Sequence, residues 1–209
     1  MPVHPLKTSF SPGPPLDIRV LIDDGEKKPF DFPGLLRYEM GGIGNLLRIG
    51  TETVLLTNDK SRMNLKSSPA IRVVKGWGDI TIEHFERVAA IEVKRSLSEI
   101  DANVNGALRE RARFLRAMDR LAAHVRHPSL FLNMNLSQCC PSSSEAKRLG
   151  LRRSPDQILD KLSLICAERH VPVYGPVSTN NPKSYRTGEL VLRVLLLPFI
   201  MLARKRNEK

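Results

Sequence analysis

The chain has 209 residues, with 33 Lys and Arg against 22 Asp and Glu, a net charge of +11, and 41% apolar residues. That length suits one compact domain with additions, and the apolar share excludes a wholly disordered tail. The basic excess favours a polyanionic partner. It does not favour a membrane span, because the longest apolar run, residues 190–203, is interrupted by Arg193 and Pro198 and is shorter than the roughly 20 residues a bilayer requires.

Residues 1–15 hold five prolines and no apolar periodicity, so they read as a flexible lead-in. They lack the apolar stretch of an export signal, and a cytoplasmic setting is expected, nucleoid-associated in a prokaryote. Residues 16–22 form a β-branched run that stops at Asp23-Asp24-Gly25, a strand meeting a turn and central in its sheet. Residues 33–65 are punctuated by Gly41, Gly42 and Gly44; within them 53–56 reads as a strand and 58–68 as a loop. Residues 78–83 and 88–94 read as a hairpin around a four-residue loop. Apolar residues then recur at helical spacing over 99–127, up to Pro128, which predicts one long helix with Gly106 as a candidate break near its start. A strand over 130–134 and a loop over 139–144 follow. Ser154-Pro155-Asp156-Gln157 supplies a cap, a proline for the first helical position and a capping-box partner, opening a helix that runs to about His170. Residues 171–174 read as a short strand, placed at a sheet edge by Pro172. Residues 188–203 close the chain as a buried helix kinked at Pro198. Strands alternating with helices predict an α/β domain over residues 16–209, with a mixed sheet. Cys139, Cys140 and Cys166 are odd in number and lack C-x-x-C spacing, so neither a disulfide framework nor a zinc site is indicated.

The hairpin carries the chemistry. A four-residue loop sets Glu83 opposite Val88, and the ladder continues inward to set Asp79 opposite Glu92. One face is then apolar (Ile80, Ile82, Ala89, Ile91, Val93) and the other holds Asp79, Thr81, Glu92 and Lys94. Like charges directly opposite destabilise a ladder. A hard cation such as Mg²⁺ reverses that cost, because two carboxylates and a main-chain carbonyl, that of Val93, leave room for water and a phosphate oxygen. A lysine beside the ion can hold the attacking water or stabilise charge building on phosphorus. The same spacing also fits a solvated hairpin face with an ordinary Glu/Lys pair, and an E-x-K triplet recurs at Glu26-Lys27-Lys28.

The order VLIDDGEKKPFDF, WGDITI, AAIEVKRSLSEI, RERARFLRAMDRL resembles the XPF-type nuclease domain of excision-repair endonucleases, in the PD-(D/E)xK superfamily, over roughly residues 16–197. The family's Asp-x-Arg-Glu motif falls on Asp23 and Glu26, its Gly-Asp pair on Gly78-Asp79, and its Glu-Arg-Lys motif on Glu92-Val93-Lys94. Its Arg-Glu-Arg-x-x-Phe segment is similar to the stretch from Arg109 to Phe114. Gly25 and Val93 stand where the family carries arginine, and Ser98 or Glu99 occupies the region of a displaced acidic residue.

The resemblance implies a restriction-endonuclease-like mixed sheet flanked by helices and a Mg²⁺- or Mn²⁺-dependent endonuclease acting on branched, fork or flap DNA in repair or recombination. It implies that Asp79 and Glu92, with Val93, hold the metal and that Lys94 orients water. Asp23 and Glu26 support metal or water from the neighbouring strand, and Arg111 turns toward the carboxylates or the scissile phosphate. Relatives often append helix-hairpin-helix motifs, which are not expected here, so weak DNA affinity, a homodimer or an accessory DNA-binding protein is expected. Two other readings stand beside this one: a catalytically impaired DNA-binding scaffold, and a restriction-type or resolvase-like nuclease of the same superfamily.

Arg109, Arg113, Arg116 and Arg120 are spaced 4, 3 and 4, so they share one helix face. Together with Arg95 they are the candidate DNA contacts, although a solubilising exterior has the same pattern. Leu108, Leu115, Met118, Ala122 and Val125 mark the other side. Arg111 falls by angle in that apolar sector and must snorkel or reach an acidic partner. His124 and His127 read as a surface pair rather than metal ligands. Trp77 either stacks on a base or packs beneath the hairpin, and packing is favoured. Lys205 and Arg206 are candidate phosphate contacts at a charged end.

Overall fold

The computed structural model describes residues 15–26, 30–40, 43–57, 71–176 and 185–207. Residues 1–14 and 58–70 lie outside it, and with them nearly all of the lead-in and the expected 58–68 loop; so do the side chains of Lys205 and Arg206. The strands are β1 (Leu16–Asp23), β2 (Leu35–Met40), β3 (Ile43–Leu56), β4 (Val73–Val74), β5 (Ile80–Ile82), β6 (Ala89–Lys94), β7 (His127–Leu132) and β8 (Val173–Tyr174). The helices are α1 (Leu97–Asn105), α2 (Leu108–His124), α3 (Leu136–Cys139), α4 (Ser143–Arg148), α5 (Pro155–Glu168) and α6 (Tyr185–Asn207).

The sheet runs β2-β3-β1-β5-β6-β7-β8, with β4 beside β3. β1 is central, parallel to β3 and antiparallel to β5. β6, β7 and β8 are parallel to one another, so the sheet is mixed. β8 forms the edge on the side where Pro172 was expected to put it. The hairpin has the register that its sequence predicts, Ile80 against Ile91 and Thr81 against Ala90.

Alternation along β6 and β7 divides the interior into two layers. Val20, Ile80, Ile91, Val93 and Phe131 pack on one face under Val191, Leu192 and Leu195 of α6. On the other face, Leu130 and Leu132 meet Ile100 and Val104 of α1, Phe114 and Met118 of α2, and Ile158 and Leu162 of α5. Cys139 and Cys166 are buried in that second layer, and all three cysteines are free.

Several elements differ from the sequence reading. Residues 35–40 and 43–56 are strand, β2 and β3, with 35–40 antiparallel to 43–48, where only 53–56 read as strand. The expected 99–127 helix is two helices. The first helix ends at Gly106, whose extended backbone donates its N–H to the Ala102 carbonyl and leaves no room for a Cβ, and α2 ends at His124, which places His127 in a strand instead of on the helix. The buried stripe of α2 is Phe114, Met118 and Leu121, whereas Leu108 is 83% exposed. The 139–144 loop is flanked by the short helices α3 and α4, each with a full capping box, Asn135 with Gln138 and Ser142 with Glu145. The strand expected at 130–134 begins at His127 and ends at Leu132. α5 starts as read, with Ser154 and Gln157 capping it and Pro155 first in the helix. α6 begins before Gly188 and continues through Pro198. Among the described residues, no helix is long and apolar enough to cross a membrane. The whole is a mixed β-sheet flanked by helices in one compact domain.

Candidate active site

A cleft of about 830 Å³ opens between the ends of β1 and β6 and the face of α2. Its lining includes Asp23, Asp79, Glu92, Lys94 and Glu99, together with Trp77, Glu110, Arg113 and Arg120. Sheet geometry explains the acidic wall. Because Ile91 and Val93 face the α6 layer, Glu92 and Lys94 must face the helices α1 and α2.

Asp79 arrives by a different route. The regular ladder stops at Ile80, so Asp79 is not a paired ladder residue opposite Glu92 as the extended register predicts. Gly78 adopts φ 78°, and a Cβ there would lie 2.8 Å from the Ile91 carbonyl oxygen, so only glycine fits this turn. The turn leaves the Asp79 N–H donating to that same carbonyl at 2.8 Å. The Asp79 carboxylate Oδ2 accepts the Val93 N–H at 2.7 Å, in place of a main-chain oxygen. The carboxyl is thereby fixed at the end of β6, on the side of Glu92. Burial raises its pKa well above the ordinary aspartate value, and the neighbouring Glu92 charge raises it further, against the opposing effects of the Val93 N–H and Lys94.

Lys94 is 6% exposed, and its ammonium donates to Glu92 Oε1 at 3.0 Å and Glu99 Oε1 at 3.1 Å. Burial pulls its pKa down, but Glu92, Glu99 and Asp79 outweigh burial and hold it above the ordinary lysine value, so the ammonium stays charged. Its ammonium also lies over the Phe114 ring, with Nζ 5.4 Å from the ring centre. Glu99 also accepts the Arg95 N–H through Oε2 at 3.1 Å, while its own N–H is capped by Ser96. The spacing Ser96-x-x-Glu99, a helix-start signature directly after Lys94, is the sequence signal that points to this residue.

The other expected site residues are distributed as follows. Asp23 lines the cleft; its Oδ1 accepts the Leu56 N–H and its N–H donates to the Asp79 carbonyl, both at 2.8 Å, so it ties β1 to Asp79. Glu26 lies outside the cleft lining and accepts Arg95 Nε at 2.8 Å. The Arg95 guanidinium also sits 5.0 Å over the Phe30 ring, so its charge is directed into the protein instead of toward solvent. Val93 turns its side chain into the α6 layer. Arg109, Arg113, Arg116 and Arg120 are all exposed on α2, and of these Arg113 and Arg120 reach the cleft. Arg111 is exposed and is not among the cleft-lining residues; by angle it lies on the stripe of Phe114 and Met118, but it sits in the first turn of α2, which is uncovered, as the 83% exposure of Leu108 shows. Glu110 lines the cleft although its sequence neighbourhood marks only a basic helix.

The donor set is all oxygen. Asp79 and Glu92 carry no nitrogen or sulfur ligand beside them, which suits a hard cation that keeps several of its waters and binds through one or two carboxylates. Burial is the first cause of the raised proton affinity of Asp79 and the Glu92 charge the second, and a cation between the two carboxylates would offset both. Among the described residues, no three His, Cys, Asp or Glu side chains form a metal-holding group, so an all-protein cage is absent there.

No family model matches the chain, and no curated protein matches it. In structure the chain is distantly similar to XPF from Aeropyrum pernix, with 14% sequence identity and a TM-score of 0.44, covering 90% of this chain and 69% of that one.

Proposed function

We propose that this cleft hydrolyses DNA phosphodiester bonds as a Mg²⁺- or Mn²⁺-dependent endonuclease acting on branched, fork or flap DNA. The observation that carries the reading is the position of Asp79, Glu92 and the charged Lys94 on one cleft wall, facing Arg113 and Arg120 of α2 across the opening. Asp79 and Glu92 would hold the cation, which supplies charge neutralisation on a phosphate oxygen and lowers the pKa of a bound water. Lys94 acts as a donor and not as a base, because its carboxylate neighbours keep it protonated; it holds Glu92 in place and stabilises negative charge building on phosphorus. Glu99 holds the far side of the ammonium. Arg113 and Arg120 bind the phosphates of the incoming strand.

A DNA-binding scaffold that has lost catalysis is the second reading. It is favoured by two features: Asp79 spends Oδ2 on the Val93 N–H, and no three-donor metal group exists among the described residues. A labelled fork substrate separates the two. Cutting in Mg²⁺ or Mn²⁺ that Glu92→Gln abolishes, with DNA affinity spared, supports the nuclease. Binding without cutting by the wild-type chain in either ion gives the scaffold. For binding itself, contact with about six phosphates predicts a log–log salt slope near −5, and a slope near zero removes the electrostatic argument.

A further inference from the structure

Trp77 is the chain's one tryptophan. It immediately precedes the Gly78 turn whose φ of 78° and close approach to Ile91 admit no side chain, so the indole and the Asp79 carboxyl are set two residues apart on a fixed backbone. One part of the indole packs on Ala90, Leu121 and Val125. The residue is nevertheless only half-buried, and it lines the cleft. Its ring is stacked on the His124 imidazole at 4.9 Å and 13°. The Arg120 guanidinium carbon lies 5.7 Å from the ring centre, and Arg120 lines the cleft as well. The imidazole braces the indole, and a planar cation sits on it at the mouth of the acidic pocket. Planar stacking layers of this kind hold nucleobases, which present a π-face whatever their sequence.

We propose that Trp77 is a stacking seat for an unpaired nucleobase, and that it determines specificity for the strand whose phosphate enters the Asp79–Glu92 cleft. The proposal rests on reading that cleft as a DNA phosphodiester site. The placement suits the role: two residues span at most about 7 Å of backbone, and the indole lines the same cleft as Asp79 and Glu92. A base inside a duplex has both faces covered by its neighbours and cannot lie on the indole, so the seat selects strands with at least one unstacked base. Arg120 is the mobile partner: its guanidinium either covers the base or moves to the adjoining phosphate.

The intact chain tests this with two strands of equal length, one oligothymidylate and one made of abasic sugar-phosphate units. The proposal expects oligothymidylate to quench the indole emission, which comes from Trp77 alone, while the abasic strand binds without quenching. Trp77→Ala should lower the preference for oligothymidylate over the abasic strand by about 5- to 150-fold, the range that base–aromatic stacking supplies. Trp77→Phe should restore part of it. Both are read by anisotropy of fluorescein-labelled strands. Because the preference is a ratio within one variant, a partly unfolded sample leaves it unchanged. If both strands bind wild type with equal affinity and no quenching, the stacking seat is refuted and the cleft's DNA-cutting role stands. If no strand binds, the DNA reading itself is refuted, and the seat with it.

Discussion

Asp79→Asn should make the protein more stable at neutral pH in the absence of divalent ions and, on the proposed function, should abolish cutting. Asparagine keeps the shape and the acceptor that the Val93 N–H uses at 2.7 Å, so the turn is preserved. What is lost is a carboxyl whose charged form is disfavoured by burial and by Glu92. Two like charges at roughly 5 Å repel by about 3 kcal/mol at an effective dielectric constant near 20. Lys94, 3.0 Å from Glu92, offsets part of that, leaving an expected gain of about 1–2 kcal/mol, or about 2–8 °C in Tm for a chain of this size. The sign with pH follows from the direction of the shift. A carboxyl with a raised folded-state pKa stabilises fully below the unfolded value of 3.8, and that contribution is lost as pH rises through the folded value. The variant's advantage is therefore near zero at about pH 4 and grows toward pH 8. Thermal or urea unfolding at the two pH values, in chelator, measures it. Added Mg²⁺ should then stabilise the wild type through RT ln(1 + [L]/Kd) and leave the variant unmoved. A variant less stable than wild type at pH 8 in chelator, or equal stabilisation of both by Mg²⁺, refutes the electrostatic account of the cleft.

Two further substitutions probe the same wall. Lys94→Met leaves Glu92 and Glu99 facing each other around a buried space, and should cost about 3–5 kcal/mol at neutral pH, the range for removing one partner of a buried pair. Urea unfolding measures the loss, and a variant as stable as wild type would mean that the ammonium does not hold the two carboxylates. Gly78→Ala puts a Cβ against the Ile91 carbonyl oxygen at 2.8 Å, at a φ that L-residues avoid, and should cost about 2–4 kcal/mol with an unchanged urea m-value. A loss under about 0.5 kcal/mol, as at an ordinary surface site, would mean that the turn does not depend on glycine.

What was legible in the sequence was local. The β5–β6 register follows from a four-residue loop and a period-2 apolar face, and that alternation placed Glu92 and Lys94 on one side correctly. Asp79 joined them by a turn rather than by ladder pairing, because Gly78 bends the backbone before the pairing reaches it. The long ribbon of β2 and β3 was hidden by Gly41, Gly42 and Gly44, and its parallel pairing with β1 joins residues about thirty positions apart, beyond any local pattern. The phase of α2 follows from its apolar periodicity: Met118 and Val125 are buried and Leu115 and Ala122 pack on the core, and of the five apolar markers Leu108 alone, at the start of the helix, is exposed. Arg95 reads as a solvent cation beside Lys94, yet its partner Glu26 lies 69 positions away and only the folded sheet brings the two together. Glu99 was within reach, since Ser96-x-x-Glu99 is a helix-start signal placed directly behind the lysine.

The two sides of β6 face different layers but share one main chain, in which the Ile91 carbonyl and the Val93 N–H both bond Asp79. Ala89, Ile91 and Val93 answer to α6, whereas Glu92 and Lys94 answer to the cleft. Changes on the α6 side therefore reach the polar wall through the shared main chain, and those that conserve volume disturb it least, since neighbouring positions couple. Durability and the acidic pocket are tied on this strand, which narrows the exchanges that engineering or natural variation can make at Ala89, Ile91 and Val93.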